Sequence, residues 1–453
     1  MKLTFINHAC CKVTTRTTSV LFDPWIEGPA FNAGWDLLVP TPYSFDWIME
    51  DVSFIWISHE HPDHFSQRFL ARVAERHADR VTILFQKTRD GRVANYCRAL
   101  GLKVRELEDR VRAPLNHEVM VTCGTSYFYD SWLLLSDGHE SILNLNDCPM
   151  REKAELEKLA ALIGPPTVLL TQFSYAAWKG GRDNREFRVD AARARLATLN
   201  AQVRALQPRF ALPFASMIYF SNVENFYLND GANTPRDAAS ALAAAGTEPV
   251  VLFPGEAWEV GTPRDNEMSL RRYDERYAML ATLPLRPPGD SSDLAALSQA
   301  FTVYGERVFK RNSKSLIWLL SKISFLGAFQ PLTIKLTDID LLLSFSLLDG
   351  ISSLPAGAAS PDVSMHSSSL LFVLQNEFGY DTLTVNGRFE ATPEGFAKMT
   401  RALAIGSLNA MGLSISPRLL FNMHVVVGLL RRLRGVLGRM KSGNGVTEST
   451  SAS

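Results

Sequence analysis

The stretch Phe54-Ile55-Trp56-Ile57-Ser58-His59-Glu60-His61-Pro62-Asp63-His64 decides how this chain is read. Its first four residues form a continuous apolar run, the length and character of a strand buried on both faces. The run then breaks into a segment that holds three of the chain's nine histidines and an aspartate, in the order H-x-H-x-D-H. In extended backbone, residues two apart point the same way, so His59 and His61 can share one cation. Asp63 and His64 then turn toward a second. Imidazole and carboxylate donors suit zinc or iron, and no thiolate is needed.

Working outward, Ser19-Val20-Leu21-Phe22 is a short strand that ends at Asp23-Pro24, where proline cannot continue a central ladder. Residues 66–78 and 90–100 have helical spacing and enclose a strand-like Val81-Thr82-Ile83-Leu84-Phe85. That β-α-β-α alternation predicts a layered α/β fold. From about residue 118 the pattern turns strand-rich, with a hairpin from Trp132–Leu135 through Asp137-Gly138 to Ser141–Leu145. Residues 185–206 read as a helix. Pro287-Pro288-Gly289-Asp290-Ser291-Ser292 marks a linker over residues 282–293. The expected organisation is a metal domain over 1–281 and an accessory domain over 294–415. The latter is an α+β region of apolar helices with a strand-like Asp381-Thr382-Leu383-Thr384-Val385. A basic amphipathic helix over 416–441 and a disordered tail over 442–453 complete it.

Composition bounds the function. The chain has 453 residues, 46% of them hydrophobic and 21% charged, enough for two or three domains with a sizeable core. Lys plus Arg equals Asp plus Glu, 47 of each, which argues against nucleic-acid binding through a global basic field. Five scattered cysteines, with no C-x-x-C and no Cys-x-His pair, give neither a disulfide framework nor a Rieske cluster, and a reducing, cytoplasmic setting is expected. No apolar signal segment opens the chain, and no window is long and uncharged enough to span a membrane. Arg418, Arg431, Arg432, Arg434, Arg439 and Lys441 stand among apolar residues with no acid between them. Residues 418–441 thus read either as peripheral contact with the inner face of a membrane or as a terminal helix packed on its own domain.

The H-x-H-x-D-H motif resembles that of the metallo-β-lactamase superfamily. The resemblance implies a four-layer αββα sandwich with metals held by loops at one edge. It also implies one metal on His59 and His61, another on Asp63 and His64, and a bridging aspartate, whose place Asp147 fits at the end of the Ile142–Leu145 strand. Asn144-Leu145-Asn146-Asp147-Cys148, Leu206-Gln207-Pro208-Arg209, Pro213-Phe214-Ala215 and Asn225-Phe226-Tyr227-Leu228-Asn229-Asp230 look like the catalytic region of the CMP-N-acetylneuraminate hydroxylase family. So do Asn7-His8-Ala9 and Asp23-Pro24-Trp25 through Gly28 and Phe31, so that the likeness spans roughly residues 1–260. Its implication is an iron-dependent oxygenase that hydroxylates a small polar or conjugated substrate. That family carries an N-terminal Rieske domain; this sequence starts at the lactamase-like part, so an external ferredoxin or reductase is expected to supply electrons.

Two histidines of the superfamily pattern are replaced. The stretch Gly124–Asp130 offers Asp130 as the nearest ligand-type side chain, and Asn222 stands where the last histidine is expected. Among the catalytic candidates, Asp63 and Asp147 join His8, which is placed to orient substrate or a bound water. Trp25, Asn222 and Arg209 are candidate substrate contacts. Lys179 and Arg182 read either as contacts to an anionic substrate or as a solvated loop. Two rival readings stay open. One is a zinc hydrolase of lactone, phosphodiester or amide bonds, in which Asp63 or Asp147 orients a metal-activated water. The other is a non-catalytic protein with a relict site.

Overall fold

A computed structural model describes residues 1–126, 130–323, 327–355, 357–410 and 412–417. They divide into two compact units. The first comprises Met1–Pro288 together with Thr384–Arg388; the second comprises Gly289–Leu383 and the described residues from Phe389 onward.

The first unit is built on two seven-stranded sheets. Across the N-terminal sheet the strands run Ala257–Glu259, Lys2–Asn7, Cys10–Thr14, Ser19–Phe22, Val52–Trp56, Thr82–Gln86 and Lys103–Leu107. The first three pairings are antiparallel and the last three parallel. Helices Gln67–His77 and Arg92–Ala99 make the parallel crossovers. Side chains alternate across this sheet, as the two-residue period of a strand requires. Phe5, Val20, Phe22, Trp56 and Leu84 face inward to the second sheet, while Ile6, Leu21, Ile55 and Ile83 face outward to Phe69, Leu70, Val73, Val93 and Cys97 of the helices.

The second sheet runs Glu248–Pro249, Phe210–Phe214, Val168–Gln172, Ser141–Asn146, Ser131–Ser136, Met120–Thr125 and Arg112–Pro114. Val121, Leu133, Leu135, Ile142 and Leu170 share the face turned to the first sheet and join the core between the sheets. Helices Lys153–Ile163, Arg185–Leu206 and Pro235–Ala245 complete the layer outside it through Leu156, Leu159, Leu199, Val203 and Leu242. The result is the four-layer αββα arrangement.

The second unit is α+β. Its five-stranded sheet has the order Gly350–Leu354, Leu341–Ser346, Leu332–Leu336, Val363–Met365 and Glu390–Ala391. Helices Leu294–Arg311, Ser367–Gln375 and Pro393–Leu403 accompany it, and Ile334, Leu343, Phe345 and Leu370 are fully buried there. One expectation fails in this region. Asp381–Val385 is not a strand but lies within helix Gly379–Asn386. Alternating β-branched residues over so short a run express a weak preference, which local context overrides; here Thr382 N–H bonds back to the Phe378 carbonyl. The basic helix from residue 418 and the tail lie outside the described residues. No described helix is long and apolar enough to cross a membrane.

On the outer face of the second sheet, packing leaves no slack at Gly124, where an added Cβ would overlap the Trp132 indole across the strand pair. Gly124→Ala is therefore expected to cost about 1–3 kcal/mol, read as a drop of several degrees in the first unit's thermal transition. An unchanged transition would show that Trp132 can move.

Candidate metal centre

The parallel strands Ser19–Phe22 and Val52–Trp56 end side by side, and the chain leaves both at the same edge. Asp23 follows the first and Ser58-His59 the second. Asp23 is fully buried, and its Oδ1 accepts the Ser58 N–H at 2.8 Å while its Oδ2 lies 3.1 Å from His64 Nδ1. From the second sheet, Asn146 Nδ2 donates to the same Asp23 Oδ2, and Ser131 Oγ donates to the Ser58 carbonyl at 2.5 Å. One carboxylate thus binds the histidine loop to both sheets and fixes which ring nitrogen of His64 points into the centre, the usual job of a carboxylate behind a metal-binding histidine.

The ligand-type side chains gather into two trios. His59, His61 and Asp147 bring one donor atom each within 4.8 Å of one another, and so do His8, Asp63 and His64. His59 Nε2 lies 2.8 Å from His61 Nδ1, while Ser58 Oγ satisfies His59 Nδ1 at 2.9 Å. In the other trio, Asp63 Oδ2 sits 3.2 Å from both His8 Nε2 and His64 Nε2. Asp147 lies between the trios: its Oδ2 is 3.6 Å from His64 Nε2, and its Oδ1 accepts from Gln172 Nε2 at 3.1 Å.

These residues fit a cation. His8 Nδ1 and Asp63 Oδ1 are buried with no hydrogen-bond partner among the described residues. Burial alone would depress His64, yet Asp63, Asp147 and Asp23 hold its pKa well above the usual histidine range. Burial likewise works to raise Asp63, and His64 and His8 outweigh it and hold the carboxyl low. The ligand loop without metal therefore collects positive charge on an imidazole, where a metal ion would stand in for the proton. His59 is driven the other way, well below the usual range, by burial and by His64 and His61.

The remaining sequence candidates fall in different places. Asp130 belongs to neither trio; burial, Asp147 and Asp63 push its carboxyl up to about 8 against the pull of His64 and Arg195. Trp25 is buried, donates its indole N–H to the Gly28 carbonyl and packs edge-on against His8 with ring centres 5.4 Å apart. Asn222 is consumed by structure: its amide donates to the Pro287 carbonyl at 3.0 Å and its oxygen accepts the Glu224 N–H. Arg209 is exposed and stacks on Phe210 at the start of the Phe210–Phe214 strand. The chain reaches the centre at that strand's other end, where the Ala215 N–H bonds the His8 carbonyl. Over five residues a strand advances roughly 16 Å, which sets Arg209 apart from the metal ligands.

Sequence reasoning missed Asp23, Asn146, Gln172 and Arg195. Asp23 left a trace as the polar residue ending a buried strand before proline, and Asn146 lay inside a quoted motif without a role. The wall beside His61 takes shape only in the fold. Phe31 packs against that ring at 5.7 Å, from three successive left-handed residues, Phe31, Asn32 and Ala33. Asn386 donates to the Phe31 carbonyl and Arg388 to the Asn32 carbonyl, and Arg388 is paired with Glu224 at 2.6 Å.

Two back-to-back sheets with helices outside and an H-x-H-x-D-H loop at the strand ends define a protein of the metallo-β-lactamase fold. The chain is similar to the cytidine monophosphate-N-acetylneuraminic acid hydroxylase of Xenopus laevis, with 27% identity over 284 residues, 58% of this chain and 46% of that protein. With the Mus musculus hydroxylase it shares 27% over 256 residues, 52% of this chain and 42% of that one. It thus spans less than half the length of these relatives. Among solved structures, CmlA, a diiron β-hydroxylase from Streptomyces venezuelae, aligns at 17% identity and a TM-score of 0.42, over 57% of this chain and 54% of that one. No protein-family profile matches the chain.

Metal titration with equilibrium dialysis tests the two trios. The intact protein is expected to take up two equivalents of zinc, and His8→Ala and His61→Ala one each. Asp23→Asn, which touches no donor atom facing the centre, is expected to weaken uptake about 10–100-fold; unchanged uptake would deny Asp23 its orienting role.

Proposed function

We propose that this chain is a metal-dependent oxygenase that hydroxylates a small polar or conjugated molecule, with iron on the two trios and electrons from an external ferredoxin or reductase. The observation that carries the reading is the coincidence of two histidine–carboxylate trios with sequence similarity to hydroxylases. The donors are imidazole and carboxylate throughout, the set that leaves iron with open positions for oxygen chemistry. When bound, the metal supplies activation of dioxygen. The chain's own residues supply the rest. His59, His61 and Asp147 hold one position and His8, Asp63 and His64 the other. Asp23 and Ser58 orient the rings from behind. Phe31 and Trp25 shield the histidines with apolar surface.

The same donors accept zinc, and with zinc the site reads as a hydrolase in which the metal lowers the pKa of a bound water. Metal content separates the two. Protein isolated from iron-sufficient cells should carry iron and consume oxygen when given a chemical reductant, and His61→Ala should abolish that consumption. Stoichiometric zinc with no iron, and oxygen-independent turnover of a generic ester or phosphodiester, would overturn the oxygenase reading in favour of the hydrolase. Peripheral membrane contact through residues 418–441 belongs to the same proposal.

A further inference from the structure

Two basic side chains stand beside the metal centre without an opposite charge bonded to them. The inward face of helix Arg185–Leu206 is set by Arg188, Ala192, Leu199, Gln202 and Leu206, all buried. Arg195 falls on that face, three residues after Ala192 and four before Leu199. Gln202 fixes the level of the helix: its oxygen accepts from Thr171 Oγ1 and its amide donates to the Met150 carbonyl. The helix joins two parallel strands, Val168–Gln172 and Phe210–Phe214, so it runs back against them. Arg195, seven residues before Gln202, therefore lies about 10 Å further toward the strands' C-terminal ends. That carries it past the strand's last residue, Gln172, whose amide holds Asp147 at this edge. Asp147 and Asp130 accordingly act on its charge, as does Arg151.

Lys179 precedes this helix in a loop that Arg188 holds rigid. The Arg188 guanidinium is buried, grips Asp230 with two hydrogen bonds of 2.6 and 2.8 Å, and donates to the Gly181 and Arg182 carbonyls. Lys179 is half-buried next to Arg195, and burial and that neighbour both lower its pKa. Neither Arg195 nor Lys179 makes a hydrogen bond or ion pair among the described residues.

Charge counting gives this a meaning. Asp23, Asp63 and Asp147 bring three carboxylates to the ligands, one charge fewer than two divalent ions would carry. Arg195 and Lys179 are then in excess, and desolvated cations without counter-ions are costly unless a ligand completes them.

We propose that Arg195 and Lys179 form an oxyanion-recognition subsite at the edge of the metal centre, which holds a phosphate or carboxylate of the substrate. The proposal rests on the metal-dependent reading above. A planar guanidinium and a mobile ammonium on adjacent elements suit one oxyanion gripped from two sides.

Calorimetric titration of the zinc-loaded full chain with inorganic phosphate and, separately, with acetate tests it. Arg195→Gln and Lys179→Gln are each expected to raise the phosphate Kd about tenfold, as for loss of one charge-assisted bond. The double variant should lose more than either, with zinc content unchanged. Arg193→Gln, exposed on the same helix and paired with Asp190, should bind as the intact protein does. Tighter phosphate than acetate assigns a phosphate-bearing substrate, and the reverse a carboxylate. Should Arg195→Gln not fold by circular dichroism, Lys179→Gln decides alone. No phosphate or acetate binding by the intact protein, or equal binding by the variants, overturns the subsite while leaving the metal reading in place. A chain that takes up no zinc yet shows the variant-dependent phosphate binding overturns the metal reading and keeps the subsite.

Discussion

A single buried carboxylate organises the centre. Asp23 is out of water and survives there because every direction around it offers a donor: the Ser58 N–H, the Asn146 amide and the His64 ring. Burying an unpaired charge costs several kcal/mol, so these partners must be present together or not at all. They come from the first sheet, the second sheet and the histidine loop. Satisfying one charge therefore holds the two sheets in register at their C-terminal edge, and the metal ligands hang from that joint.

Backbone strain concentrates at the same place. His8, Asp23 and Asn146 all have positive φ, at 42°, 39° and 53°, a region that residues with a Cβ adopt at a cost. Each stands one step past the end of a strand, or at its last residue, where the chain must turn sharply to aim a side chain at the centre. The bulge between Phe5 and Asn7 and the irregularity between Asn144 and Asn146 mark the same adjustment in the ladders. The strands end as they do because the site requires it, and the packed core between the sheets stabilises what the turns lose.

Much of this was legible before any coordinates. Phe54–Ile57 announced a buried strand because parallel strands covered on both faces have no polar side to show, and the histidines after it announced a metal loop because their spacing matches extended backbone. The helix over 185–206 was read to the residue. Asp147 was suggested by the likeness to the metallo-β-lactamase pattern, whose bridging place it fits after the Ile142–Leu145 strand. The Asp381–Val385 helix was not legible, since a short β-branched alternation is the same in either structure until its neighbours are known. The roles of Arg209 and Asn222 were equally hidden. Their residue types suit a substrate site, but one stands at the far end of its strand and the other spends its amide on loop carbonyls.

By itself the sequence determined the layers and the ligand loop, because hydrophobic periodicity and donor spacing are local properties carried by neighbouring residues. Tertiary structure alone decided the composition of each trio. His8 joins Asp63 and His64 across 55 residues of chain, Asp147 joins His59 and His61, and Asp23 stands behind His64. Those partnerships depend on which strand ends share an edge, and strand order is set by how two sheets pack, which no spacing along the chain records.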